Sequence, residues 1–148
     1  MPLIIHRLAA AVAMLCIVVF FSTTILVELF GTPDAVATLK ALVVWPGLFI
    51  LVPSIALAGG SGFSLANHRG GRLVLAKKKR MRVIAANGMV VLVPCALLLR
   101  HWAALGAFDT AFYLVQCAEL LAGGINLILM GRNARDGFKL SRRSIAPE

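Results

Sequence analysis

The sequence predicts an all-α fold: a bundle of four transmembrane helices with both ends on the cytoplasmic side. Two observations carry that prediction. The chain of 148 residues is 60% hydrophobic and only 14% charged, with a mean hydropathy of +0.91, whereas a soluble domain carries about 25% charged residues. The charge is also sorted by position. Thirteen of the 15 Lys and Arg residues fall at Arg7, between Arg69 and Arg82, or between Arg132 and Arg143; only Lys40 and Arg100 lie elsewhere. Uncharged apolar runs separate these places, as they do when basic loops stay on the side of synthesis.

Span one covers about residues 3–29. Its uncharged core, Leu8 to Val27, is 20 residues, the length that a hydrocarbon layer of about 30 Å requires. Arg7 followed by Leu8 to Val19 has the look of a signal peptide. The apolar run is too long for one, and Ser22-Thr23-Thr24 is no small-residue cleavage site, so a retained span is expected. The turn Gly31-Thr32-Pro33-Asp34 ends it.

Span two is placed at about 38–66. It is uncharged from Ala41 to Asn67, more than a bilayer needs, so it either tilts or breaks at Gly59-Gly60-Ser61-Gly62. Residues 68–82 form a loop with seven basic residues and no acid, which assigns it to the cytoplasm. Span three, 83–99, is short; span four is about 110–131, and 132–148 is a basic cytoplasmic tail. In a bacterium this is a multi-pass protein of the inner membrane. The opposite loops hold Glu28, Asp34 and Asp109 against Lys40 and Arg100. Glu28 with Lys40, and Arg100 with Asp109, are local pairs expected at that surface, each contributing little where exposed.

Pro46, Pro53 and Pro94 lie inside spans, where each removes a backbone donor that neighbouring helices must compensate. Ala56/Gly60, Ala58/Gly62 and Ala118/Ala122 put small residues four apart and permit close helix contact, within one chain, in a homo-oligomer or in a larger membrane complex. The +9 net charge does not indicate nucleic acid. The cations flank apolar spans rather than interleaving with aromatics. Their natural partner is the anionic headgroup layer, at about 1 kcal/mol per basic residue. Cys16, Cys95 and Cys117 each lie in an apolar run without a CxxC spacing and read as packing residues.

The chemistry, if any, lies in polar groups at membrane depth. Glu119 is nine residues into span four, roughly 13 Å at 1.5 Å per residue. An ionisable group there costs at least about 2.5 kcal/mol and marks function by default. Gln116, Glu119, Gly123, Asn126, Met130 and Asn133 share one helical stripe, which must face the bundle. Two readings stand. Glu119 locks packing through Gln116, Tyr113 or Asn87, or it belongs to a proton, quinone or cofactor site. His6 begins span one and His68 ends span two, so both imidazoles fall at one membrane face; two such groups on neighbouring helices can ligate a haem iron. No nucleotide-binding, hydrolase or zinc-protease motif and no CxxCH is present.

His6 at the start of span one, Pro46-Gly47 in span two and the basic lead-in Lys77 to Met81 before span three give a layout that resembles the HemJ-type protoporphyrinogen oxidases and the copper-resistance CopD-like family. The resemblance touches about half the chain. It implies haem b, held at His6 and at one of Lys77 to Lys79. The chain departs from that pattern: it has no histidine in spans three and four, and it adds the Gln116/Glu119/Asn126 stripe. Phe112 to Leu120 and Asn133 to Gly137 also resemble segments of uncharacterised bacterial four-span proteins, which implies no activity.

Three functions are therefore carried forward. The first is a small haem b protein for electron transfer or haem handling, with His6 and His68 as iron ligands and Glu119, Gln116 and Asn126 around the cofactor. The second is a non-catalytic accessory or assembly subunit of a larger membrane complex. The third is a proton-coupled carrier using Glu119.

Overall fold

A computed structural model of the chain describes residues 2–67 and 72–143. All regular structure among them is helical. Six α-helices follow in order: α1 (Pro2–Phe30), α2 (Pro33–Leu42), α3 (Phe49–Asn67), α4 (Arg72–Asn87), α5 (Val93–Ala104) and α6 (Thr110–Arg143). Two π-helical segments, Val43–Leu48 and Gly88–Leu92, join α2 to α3 and α4 to α5. The result is four helical rods long and apolar enough to cross a membrane: Leu3–Phe30, Pro33–Ser64, Val74–Ala104 and Thr110–Gly137.

Local chemistry explains the boundaries. Thr32 caps α2 by accepting from the Ala35 amide, and Pro33 occupies the first turn, where no donor is lost. Asp109 caps α6 in the same way, through the Phe112 amide at 3.0 Å. Asp109 is exposed as expected, but it acts as a helix cap, and no Arg100–Asp109 ion pair occurs among the described residues. Gly106, at φ +67°, turns the chain between α5 and α6 in the left-handed region that only glycine enters cheaply.

The second rod does break, but not at its glycines. α3 runs unbroken through Gly59, Gly60 and Gly62 to Asn67. The interruption is at Trp45, whose backbone is extended (φ −132°, ψ 116°), one residue before Pro46. Glycine only weakens a helix, whereas proline removes a donor and clashes with the preceding turn. Pro94 has a milder effect: the π-helical turn Gly88–Leu92 precedes it and absorbs the mismatch. Two further boundaries differ from expectation. Most of the basic stretch read as a loop is helical from Arg72 onward. The fourth span does not end near residue 131; α6 continues to Arg143 through much of the expected tail.

Two apolar clusters hold the rods together. Ala13, Ile17 and Leu51 join α1 to α3, with Leu127 and Met130 of α6 packed against them. Val36, Leu99, Ala103 and Phe112 join α2, α5 and α6 at the end where the two short turns lie. Close approach rests on particular glycines. A Cβ at Gly47 would stand 2.6 Å from the Phe20 ring, and one at Gly62 would stand 3.0 Å from the His6 ring, whereas Gly59 and Gly60 face open space. Outward positions such as Leu8, Leu15, Leu114 and Leu121 are apolar and exposed, as suits surfaces solvated by hydrocarbon.

Candidate polar site inside the bundle

The polar groups fall on three levels. The uppermost lies about two turns below the short-turn end. Lys40 is in the last turn of α2, seven residues beyond Pro33, and Glu119 is nine residues beyond Thr110 in α6. The Lys40 Nζ donates to Glu119 Oε2 at 2.8 Å, with the lysine side chain 1% exposed and the glutamate 14%. Gln116 Nε2 donates to the same carboxylate oxygen at 3.2 Å. Glu28, near the end of α1, lies within electrostatic range of both Lys40 and Glu119. Its Oε1 and the Oε1 of Gln116 are buried without a hydrogen-bond partner.

This geometry corrects the surface-pair expectation. Lys40 is not an exposed outer-loop residue bridged to Glu28; it is among the most buried side chains and is paired with Glu119. The cause is the helix start. α2 begins at Pro33, five residues before the expected Thr38, which carries Lys40 into the bundle. The Thr32-Pro33-Asp34 capping sequence was the available signal. Of the partners considered for Glu119, Gln116 is bonded to it, Tyr113 is half exposed to the outside, and Asn87 belongs to the next level.

A cavity of about 60 Å³ opens directly beneath Glu119. Thr24 and Phe20 of α1, Val43 and Leu48 of one π-helical segment, Leu92 of the other, Ala96 and Gly123 all line it. Both helix interruptions therefore meet at one small space with a carboxylate at its edge. Its lining is almost wholly apolar, with Thr24 and Glu119 as the polar members.

At the middle level Asn126 is fully buried. Asn87 Nδ2 donates to Asn126 Oδ1 and to the Ala122 carbonyl, each at 2.9 Å, and Asn126 Nδ2 reaches the Ile84 carbonyl at 3.4 Å. This pair clamps α4 to α6 immediately before the π-helical turn. At the far end, Arg80 bonds the buried Asp136 at 2.6 Å, again joining α4 to α6. Lys78 and Arg82 lie over the Phe63 ring. His6 Nδ1 lies 3.0 Å from the Ala58 carbonyl and 3.3 Å from Ser61 Oγ, which ties α1 to α3.

The residues expected around a haem are thus not one site. Gln116 and Glu119 are together, Asn126 is a level below with Asn87, and His6 is at the opposite end. His68 lies outside the described residues. Glu119, Gln116 and Asn126 each have protein partners. No group of three or more His, Cys, Asp or Glu suited to a metal ion occurs among the described residues. His6 alone keeps the orientation of a ligand: with Nδ1–H given to a carbonyl, Nε2 carries the lone pair. The three cysteines are unpaired. Comparison with protein families, curated proteins and solved structures gives no match to this chain.

Proposed function

We propose that this is a small proton-coupled carrier of the cell membrane, with Lys40, Glu119 and Glu28 as its proton-handling centre. One observation carries the reading: the Lys40–Glu119 ion pair is held inside the bundle, with the Glu28 carboxyl in electrostatic range of both from near the end of α1. With both carboxylates ionised the cluster would hold a net charge of −1, which a low-dielectric interior strongly disfavours. The adjoining cavity and the two interrupted helices supply what a carrier needs beside such a centre, since broken spans mark binding sites in transporters. The experiment is proton flux into proteoliposomes, read with a trapped pH-sensitive dye under an imposed potential. Flux above that of empty vesicles is expected, and Glu119→Gln is expected to remove it. Wild-type flux no greater than the lipid background would overturn the function.

A haem b protein is the second reading, favoured by the Nδ1 bond of His6 to Ala58, which leaves Nε2 free to ligate. It now rests on His6 and His68 alone. A reduced-minus-oxidised spectrum of protein purified from haem-supplemented cells should then contain Soret and α bands that His6→Ala abolishes; a featureless spectrum ends it.

A further inference from the structure

We propose that the cavity beneath Glu119 is a binding site for a small neutral molecule with one hydroxyl head and a short apolar body, a short-chain monohydric alcohol. This goes beyond the carrier reading and does not depend on it. The argument starts from two polar groups that the fold leaves unspent. Both hydrogen bonds that Glu119 receives among the described residues, from Lys40 and from Gln116, end on Oε2, so Oε1 keeps its lone pairs. Thr23 closes its hydroxyl on the Val19 carbonyl at 2.6 Å, whereas Thr24, 4% exposed, makes no hydrogen bond among the described residues. A buried hydroxyl without a partner is rare in a folded protein. Thr24 and Glu119 both border the cavity, so one small molecule within it touches both.

The walls decide the class of ligand. Ile17, Phe20, Leu48, Leu51 and Leu92 are apolar and offer nothing to a cluster of waters, each of which needs two or more polar partners. A charged ligand is disfavoured, because Lys40 already balances Glu119 and a further charge would stand unmatched. A single hydroxyl fits: it donates to Glu119 Oε1 and accepts from Thr24, and its alkyl remainder meets the apolar walls. A primary amide brings more polar atoms than the lining can partner, and an alkyl amine is charged in neutral water. An apolar cavity of about 150 Å³ holds benzene, so one of about 60 Å³ admits roughly two or three heavy atoms, the size of methanol or ethanol. The fold keeps this space open. A Cβ at Gly123 would meet the Phe21 ring at 3.5 Å, an ordinary contact, so the packing has room for a methyl that the glycine omits. Val43, Leu48 and Leu92 bring both π-helical segments to the same space, and such irregular turns gather at functional sites.

The test is methyl NMR of the whole protein in lipid nanodiscs, titrated with ethanol. The methyls of Ile17, Leu48, Leu51 and Leu92 should shift along saturating curves in the millimolar range, the limit for so few heavy atoms. Leu114 and Leu121 are exposed at the lipid-facing surface; their shifts report ethanol dissolved in the bilayer and should rise linearly. Hexanol, too large for the cavity, should give linear shifts at all six. Thr24→Val keeps the shape and removes the hydroxyl, so ethanol affinity should fall about fivefold, the worth of one neutral hydrogen bond, while ethane binding should not weaken. If Thr24→Val does not fold, Gly123→Ala decides: its added methyl narrows the cavity and should weaken ethanol binding. Cavity methyls that shift only in proportion to Leu114 and Leu121 overturn the site. Ethanol affinity unchanged by Thr24→Val leaves an apolar void only, and affinity unchanged by Gly123→Ala puts the ligand elsewhere; each overturns the proposal. No readout uses proton flux, so its absence would remove the carrier function and leave the site standing.

Discussion

Lys40 and Glu119 bind each other across α2 and α6, and neither is tolerable alone at that depth. Removing one partner of a buried pair costs about 3–5 kcal/mol, because the survivor stays charged and unpaired. Glu28 changes the forecast for one of the two. Glu119→Gln leaves Lys40 a second carboxylate, so its loss should be well below that range, whereas Lys40→Met strands two carboxyls and should approach it. Unfolding in mixed micelles, titrated with a denaturing detergent, measures both; equal losses would mean that Glu28 takes no part. The Gln116/Glu119 half of this site was legible because polar residues three apart on an apolar helix declare a buried stripe. The Lys40 half was not. A single lysine near a span end reads as one whose head reaches the interface, and only the helix start at Pro33 carries it inward.

The rods differ in how they are joined, and sequence reveals that less well. Helix identity and length follow from apolar runs, so four spans were evident. The π-helical turns and the break at Trp45 were not, since proline marks a donor loss without saying whether the chain kinks, widens or passes straight through. Pro53, which stays within a regular α3, makes that point against Pro46. The clamp between α4 and α6 is one such join. Asn126 is fully buried and bonded to Asn87 and the Ile84 carbonyl, and interhelical hydrogen bonds in membranes contribute about 0.6 kcal/mol each, at most near 1.7. Asn126→Ala also leaves Asn87 with a lost partner beside the π-helical turn Gly88–Leu92. A loss of about 1–2 kcal/mol is expected, above the value of one bond because two interhelical bonds go at once while Asn87 keeps the Ala122 carbonyl. Faster amide exchange confined to residues 84–96 should accompany it; unchanged exchange there would show that the clamp does not hold the turn.

Across the whole molecule the four rods run alternately up and down, which brings the start of α1, the end of α3, the start of α4 and the end of α6 to one end. His6 beside Ala58 and Arg80 beside Asp136 fix this arrangement. Arg7, Lys77 to Arg82 and Arg132 to Arg143 therefore share that end. The other end presents Asp34, Asp109 and Arg100, with Lys40 withdrawn into the bundle. Translocating one end or the other is thus a choice between strongly basic and nearly neutral segments, and short basic segments are retained. Alkaline phosphatase and fluorescent-protein fusions should place residues 69–71 and the chain's C-terminus in the cytoplasm, and residues 31–34 and 105–108 outside. The removal of charge sharpens the measurement: replacing Lys77, Lys78 and Lys79 with Gln should weaken the bias and yield mixed orientation, because Arg7 and the Arg132–Arg143 cations remain. An outside location for residues 69–71 in the unmodified chain would reverse the bundle and put Glu28, near the end of α1, on the cytoplasmic side of the Lys40–Glu119 pair.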